Sequence, residues 1–105
     1  MPDRALIAVY MMTNQPYGTL YVGVTSNLFR RYYEHREGLV PGFTKTHGVT
    51  RLVWFERFEL MTDAIQREKS LKRYLRDWKI NLIERDNPHW QDLGPSLLAW
   101  QEHKL

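Results

Sequence analysis

One carboxylate and a small set of polar aromatics carry the chemical content of this sequence. Ala64, Leu71, Leu75, Trp78 and Leu82 recur at helical spacing and form an apolar stripe. Glu68 falls inside that stripe, between Ala64 and Leu71. A carboxylate on a covered face needs a cation, an arginine or a proton, because an unpaired buried charge is costly. The structural alternative is a salt bridge at the edge of the stripe. Leu28, Arg31 and His35 share a face through their i, i+3 and i+7 spacing, so Arg31 and His35 are expected on the inward side that Leu28 marks. Arg30 and Glu34 make an i, i+4 pair directed elsewhere. Tyr10 and Tyr21 fall in two apolar runs, where cross-strand packing is the ordinary use of a tyrosine. Taken together, these residue types suit a phosphodiesterase site. A carboxylate can hold a metal ion that organises water, an arginine can spread positive charge onto a phosphate, and a phenol beside a cation can act as a general base. Residue type permits this chemistry; spacing alone does not establish it.

The elements that must position these residues follow from local pattern. Ala5 to Met12 is a short apolar run stopped by Thr13-Asn14-Gln15-Pro16, which predicts a buried strand. Gln15-Pro16-Tyr17-Gly18 predicts a turn. Thr19 to Thr25, rich in β-branched and aromatic residues, predicts the second strand of a hairpin. Ser26 is the expected N-cap of a helix over Asn27 to Arg36, stopped by Gly38. Leu39 to Gly48 reads as a loop, Thr50 to Phe58 as a third strand, and Thr62 as the cap of one long helix to about Glu84, ended by Asn87-Pro88. A short helix is expected around Leu97 to Gln101. The order β-β-α-β-α plus a C-terminal helix predicts an α/β (α+β) fold, a small three-stranded mixed or antiparallel sheet flanked by helices. Residues 1–95 are expected to form one domain and 96–105 its tail.

A chain of 105 residues has room for one core, and 43% apolar residues suffice to build it. Cysteine is absent, which excludes disulfides, thiolate zinc sites and thiol catalysis. No apolar run is long enough for a membrane span and no signal peptide is evident, so a cytoplasmic protein with no membrane partner is the plain reading. The net charge of +3 is modest. Its distribution is not even: Arg67, Lys69, Lys72, Arg73, Arg76, Lys79 and Arg85 face only Glu68, Asp77 and Glu84 within one segment.

At its chemical residues the sequence resembles the GIY-YIG nuclease superfamily. The first motif stands as Ala8-Val9-Tyr10 and the second as Tyr21-Val22-Gly23, followed by the run from Val24 to His35 that contains Arg30-Arg31. Leu52-Val53-Trp54-Phe55-Glu56, Glu68-Lys69 and the stretch from Leu82 to Leu93 complete a match over roughly residues 5 to 93. It is most similar to the small stand-alone bacterial members, and it resembles the N-terminal nuclease domain of the excision-repair nuclease. The resemblance implies a metal-dependent endonuclease acting on DNA, structure-selective and repair-related. It implies that Tyr10 and Tyr21 line the site with one of them as general base, the choice staying open. It further implies that Arg31 contacts the phosphate, that His35 positions groups or shuttles protons, and that Glu68 ligates a single Mg²⁺ or Mn²⁺. Gly23 and Asn87 are accessory candidates, with Asn81 beside Asn87. Two departures stand out: Ala8 replaces the family's glycine, and His47 stands where many relatives have tyrosine.

Lys45 and His47 on the glycine-rich loop, and Lys72, Arg73, Arg76 and Lys79 on the long helix, are the candidate nucleic-acid contacts. Their structural alternative is a solvated helix face. Trp90 reads as an anchor closing the tail. With no attached reader domain, specificity is expected to come from nucleic-acid structure, a partner protein or self-association. The competing function class is a non-catalytic nucleic-acid-binding module on the same fold. The joint presence of Tyr10, Tyr21, Arg31, His35 and Glu68 favours the nuclease, since a module that only binds could shed Glu68 without losing the fold.

Overall fold

The run Ile7–Thr13 is apolar at successive positions because both of its faces are covered. In the computed structural model this strand, β1, is the centre of a three-stranded sheet of order β2-β1-β3. The structure describes residues 6–42 and 46–104, with side chains to residue 99. Strand β2, Leu20–Thr25, pairs antiparallel with β1 as a hairpin, and β3, Arg51–Phe58, pairs antiparallel on the other side with an irregularity between Met11 and Met12. The sheet is antiparallel throughout.

Alternation along β1 divides the core into two layers. Ala8, Tyr10 and Met12 face Leu28, Phe29 and Tyr32 of helix α1, Leu28–Arg36, and Leu97 of helix α4, Gly94–Lys104. Val9 and Met11 face the other way, toward Ala64 and Leu71 of helix α2, Met61–Lys72, and Ile83 of helix α3, Arg76–Asp86.

Three helix boundaries differ from expectation. The N-cap of α1 is Asn27, whose side-chain oxygen accepts from the Arg30 amide at 3.2 Å. That amide is at N3, the donor an N-cap side chain normally satisfies, and Ser26 is one residue too early to reach it. Helix α2 starts from Leu60 without a side-chain cap, so Thr62 lies inside the helix. The expected single long helix is two helices, broken at Arg73-Tyr74-Leu75, with Leu75 in extended geometry at ψ 153°.

No glycine or proline stands in that break, so its cause is tertiary. At ~100° per residue, Ile83 would stand roughly 120° around a straight helix from Leu71, and the two could not both face the sheet. Breaking the helix lets each piece bury its own anchor, and Leu71 and Ile83 are both fully buried. Arg76 then reaches the hairpin turn, donating to the carbonyls of Tyr17 and Gly18 at 2.6 and 2.8 Å. The apolar stripe is therefore interrupted after Leu71: Leu75 and Trp78 are exposed at 62% and 53%, and Leu82 packs against the core again from α3.

Helix α4 is longer than expected. Pro95 suits its first turn, and Asp92 accepts from the Gly94 amide at 2.9 Å. Asp92 also accepts from the Leu52 amide and the Tyr32 hydroxyl, which ties the segment before α4 to β3 and α1.

Candidate functional site

Tyr10 sits at the middle of the central strand, on the α1 face of the sheet. Its cross-strand neighbour is Gly23, and a Cβ at Gly23 would lie 2.5 Å from the Tyr10 ring and hydroxyl. The glycine of the second motif thus leaves the space that the tyrosine of the first motif fills. Tyr21 points to the same face two residues earlier on β2, with its ring 6.2 Å from that of Tyr10. From α1, His35 completes the group, its ring 5.7 Å from both tyrosines and its Nε2 3.0 Å from the Tyr10 hydroxyl. Arg31, one turn earlier on α1, acts on both Tyr10 and His35 electrostatically.

Burial sets the protonation of this group. Tyr10 is 1% exposed, and burial pushes its phenol well above the ordinary value; the neighbouring Tyr21 raises it further and Arg31 opposes. His35 is lowered to about 4, first by burial and then by the positive charge of Arg31, with Glu34 opposing. At neutral pH the pair is an uncharged phenol and an uncharged imidazole sharing one hydrogen bond. The other ring nitrogen of His35, Nδ1, is buried with no protein partner among the described residues.

Arg31 is half-buried, and its Nε is 3.1 Å from Glu34. The expected Arg30–Glu34 pair is present but longer, at 3.8 Å. Both i, i+3 and i, i+4 partners are helix neighbours, and the less exposed arginine makes the closer pair.

Glu68 is placed differently. It stands on α2, the helix that crosses β2 and β1 on the opposite face, with its side chain 16% exposed and 3.0 Å from Lys72. The structure brings Tyr10, Tyr21, Arg31 and His35 together, while Glu68 stands on α2, the helix whose Ala64 and Leu71 pack in the other core layer. Among the described residues no group of three or more His, Asp or Glu side chains could hold a metal ion. A cage of protein ligands does not fit. A hydrated hard cation, which keeps most of its waters and accepts one carboxylate, fits Glu68.

The remaining candidates have other surroundings. Asn87 is buried and spends its amide within the fold: it donates to the carbonyls of Val53 and Gln91 at 3.1 and 2.9 Å and accepts from the Gln91 amide at 3.0 Å. Asn81 is exposed on α3. His47 and Arg73 are exposed, Lys79 is half-buried, Lys72 is engaged with Glu68 and Arg76 with the hairpin turn. Lys45 lies outside the described residues. Trp90 is buried at 1%, its indole donating to Glu84 at 2.8 Å, which makes it the anchor of the segment after α3. Sequence reasoning missed Asp92, whose ties to three elements have no local signature, and Tyr17, whose ring lies 4.9 Å from Trp90 and whose hydroxyl donates to Glu84.

The two strands of the hairpin each present a tyrosine to the histidine of the next helix, and Arg31 stands beside Tyr10 and His35. The family model for the GIY-YIG catalytic domain matches residues 6–81, and the chain belongs to that family. It is similar to small proteins named UPF0213: one from Clostridium perfringens is 38% identical over 65 residues, covering 62% of this chain and 70% of the relative. A Staphylococcus aureus UPF0213 protein is 33% identical over 67 residues, covering 64% of this chain and 82% of the relative. The solution NMR structure of a UPF0213 protein from Bacillus halodurans aligns with a TM-score of 0.52 at 25% identity, over 83% of this chain and 92% of that one. Membership places the chain among the nuclease-type domains with nucleic acid as the implied ligand. No helix among the described residues is long and apolar enough to cross a membrane.

Proposed function

We propose that this protein is a metal-dependent endonuclease that hydrolyses phosphodiester bonds in DNA. The observation that carries the reading is the Tyr10–Tyr21–Arg31–His35 cluster on one face of the hairpin of a GIY-YIG domain.

The phosphate lies over the α1 face beside Arg31, whose guanidinium spreads positive charge onto the phosphate oxygens as the fifth bond to phosphorus forms. Tyr10 is too deeply buried, and its proton too firmly held, to serve as base. It holds His35 and fixes the floor of the site. Tyr21 is half-buried on the edge strand, so it is the tyrosine that reaches the attacking water: it releases its own hydroxyl proton to solvent and, as the phenolate, takes the proton of the water. The water oxygen bonds to phosphorus, the bond to the leaving oxygen breaks, and that oxygen takes up a proton from solvent. Glu68 is the residue that would hold a single Mg²⁺ or Mn²⁺. When bound, the ion would supply positive charge against the negative charge that develops on the phosphate.

A second reading, a binding module without catalysis, draws on the Glu68–Lys72 pair, in which a cation already occupies the carboxylate. Cleavage of labelled DNAs separates the two. Tyr21→Phe and Arg31→Ala are expected to fold and to lose about 100-fold or more in rate. A wild type that binds DNA in Mg²⁺ and Mn²⁺ without cutting any substrate would select the binding module.

A further inference from the structure

The break between α2 and α3 opens an exposed groove that the catalytic cluster does not use. Gln66, Lys69, Ser70 and Arg73 on one side and Tyr74 and Trp78 on the other line a volume of about 420 Å³. That is within the range of ordinary ligand sites, roughly 300–1,000 Å³. Trp78 is 53% exposed, although an indole is a residue the fold would normally bury. It is held in place: its ring meets Tyr74 edge to face, with centroids 5.5 Å apart and planes at 85°. Tyr74 is fixed in turn by Arg67, whose guanidinium lies 6.0 Å from the ring centroid and is paired with Glu56 at 2.9 Å. The two charged residues lining the groove, Lys69 and Arg73, are both cations, and among the described residues neither forms an ion pair.

We infer that this groove is a second nucleic-acid contact, in which an unpaired base stacks on Trp78 while Lys69 and Arg73 hold the phosphates of the same strand. A rigid exposed aromatic flanked by cations is what single-strand binding requires, since every base offers a π-face and every nucleotide a negative charge. A paired base inside a duplex cannot present its face to Trp78, so the groove distinguishes flaps, gaps and single strands from blunt duplex. The inference rests on the proposed function only in taking nucleic acid as the ligand; it requires no cleavage.

The test is equilibrium binding in EDTA, read by anisotropy of a labelled oligo(dT) of roughly a dozen nucleotides, a length that spans a typical single-strand site, with a blunt duplex alongside. Trp78→Ala is expected to weaken oligo(dT) binding about tenfold or more and to leave duplex binding nearly unchanged. Trp78→Phe, which keeps a stacking face, should retain most of the affinity. The double variant Lys69→Gln/Arg73→Gln keeps the aromatic pair and should lower the slope of log affinity against log salt by about 1.4, the value for two lost phosphate contacts on single strands. Wild-type affinity and slope in these variants would overturn the inference and assign the groove to a protein partner or to packing, while leaving any nuclease activity standing. If Trp78→Ala fails to fold, an unchanged slope in the double variant overturns it alone. A wild type that neither binds nor cuts DNA would overturn both this inference and the proposed function.

Discussion

At the scale of single residues, the site is defined by what burial does to two titratable groups. His35 titrates at about 4 in the folded protein and near 6.5 when unfolded. The unfolded chain therefore takes up this proton first as pH falls. Stability is flat above about 6.5, declines as pH drops toward 4, and levels off below, with a loss of order 1–3 kcal/mol from this residue. Urea titrations at a series of pH values would record the decline, and His35→Gln should flatten that segment. Tyr10 has the opposite sign: its raised value means that stability is kept below the ordinary phenol range and lost only above it. Tyr10, Tyr21, Arg31 and His35 were legible as a group through the family resemblance; the i, i+4 step puts Arg31 and His35 on one side of α1, but the strand register that sets Tyr21 beside Tyr10 is a property of the fold. The division of labour proposed for the tyrosines was not legible, because it depends on depth: Tyr10 lies on the central strand and Tyr21 on an edge, and only strand order decides that.

At the scale of elements, close fits hold the site in shape. Gly23 and Tyr10 occupy one cross-strand position together, with no space for a Cβ. Gly23→Ala is expected to cost about 1–3 kcal/mol through the displaced ring and to disturb the Tyr10–His35 hydrogen bond; thermal melts and the histidine NMR signals would report both. Asn87 joins α3, β3 and the segment before α4 through three hydrogen bonds. Asn87→Ala should therefore destabilise by about 2–4 kcal/mol, since it leaves buried carbonyl and amide groups unpaired. If that variant still folds, its cleavage rate should remain near that of the wild type, which a role in substrate contact would not allow. The hairpin, α1 and β3 were read from local patterns that the fold respects. The break at Arg73-Tyr74-Leu75 was not legible. Helix propensity continues through these residues, and the reason to stop lies in the sheet, which asks Leu71 and Ile83 to face it from different phases.

At the scale of the whole molecule, one sheet separates two layers of different character. The α1 face carries the tyrosines, Arg31 and His35; the α2–α3 face carries Glu68 and the basic residues Lys69, Lys72 and Arg73. The concentration of cations on the second face was visible in the sequence, but the uses of Lys72 and Arg76 were not. Each is engaged by a neighbour, Glu68 or the hairpin turn, that only folding supplies.

The most direct measurement is cleavage of labelled single-stranded, duplex, flap and branched DNAs in Mg²⁺ or Mn²⁺, with wild type and Glu68→Ala compared and both checked for folding by circular dichroism. The wild type is expected to cut at least one of these substrates, and folded Glu68→Ala to bind the same DNA without cutting it. Cleavage by Glu68→Ala at the wild-type rate would contradict the assignment of the metal to Glu68 and, with it, the mechanism built on that carboxylate.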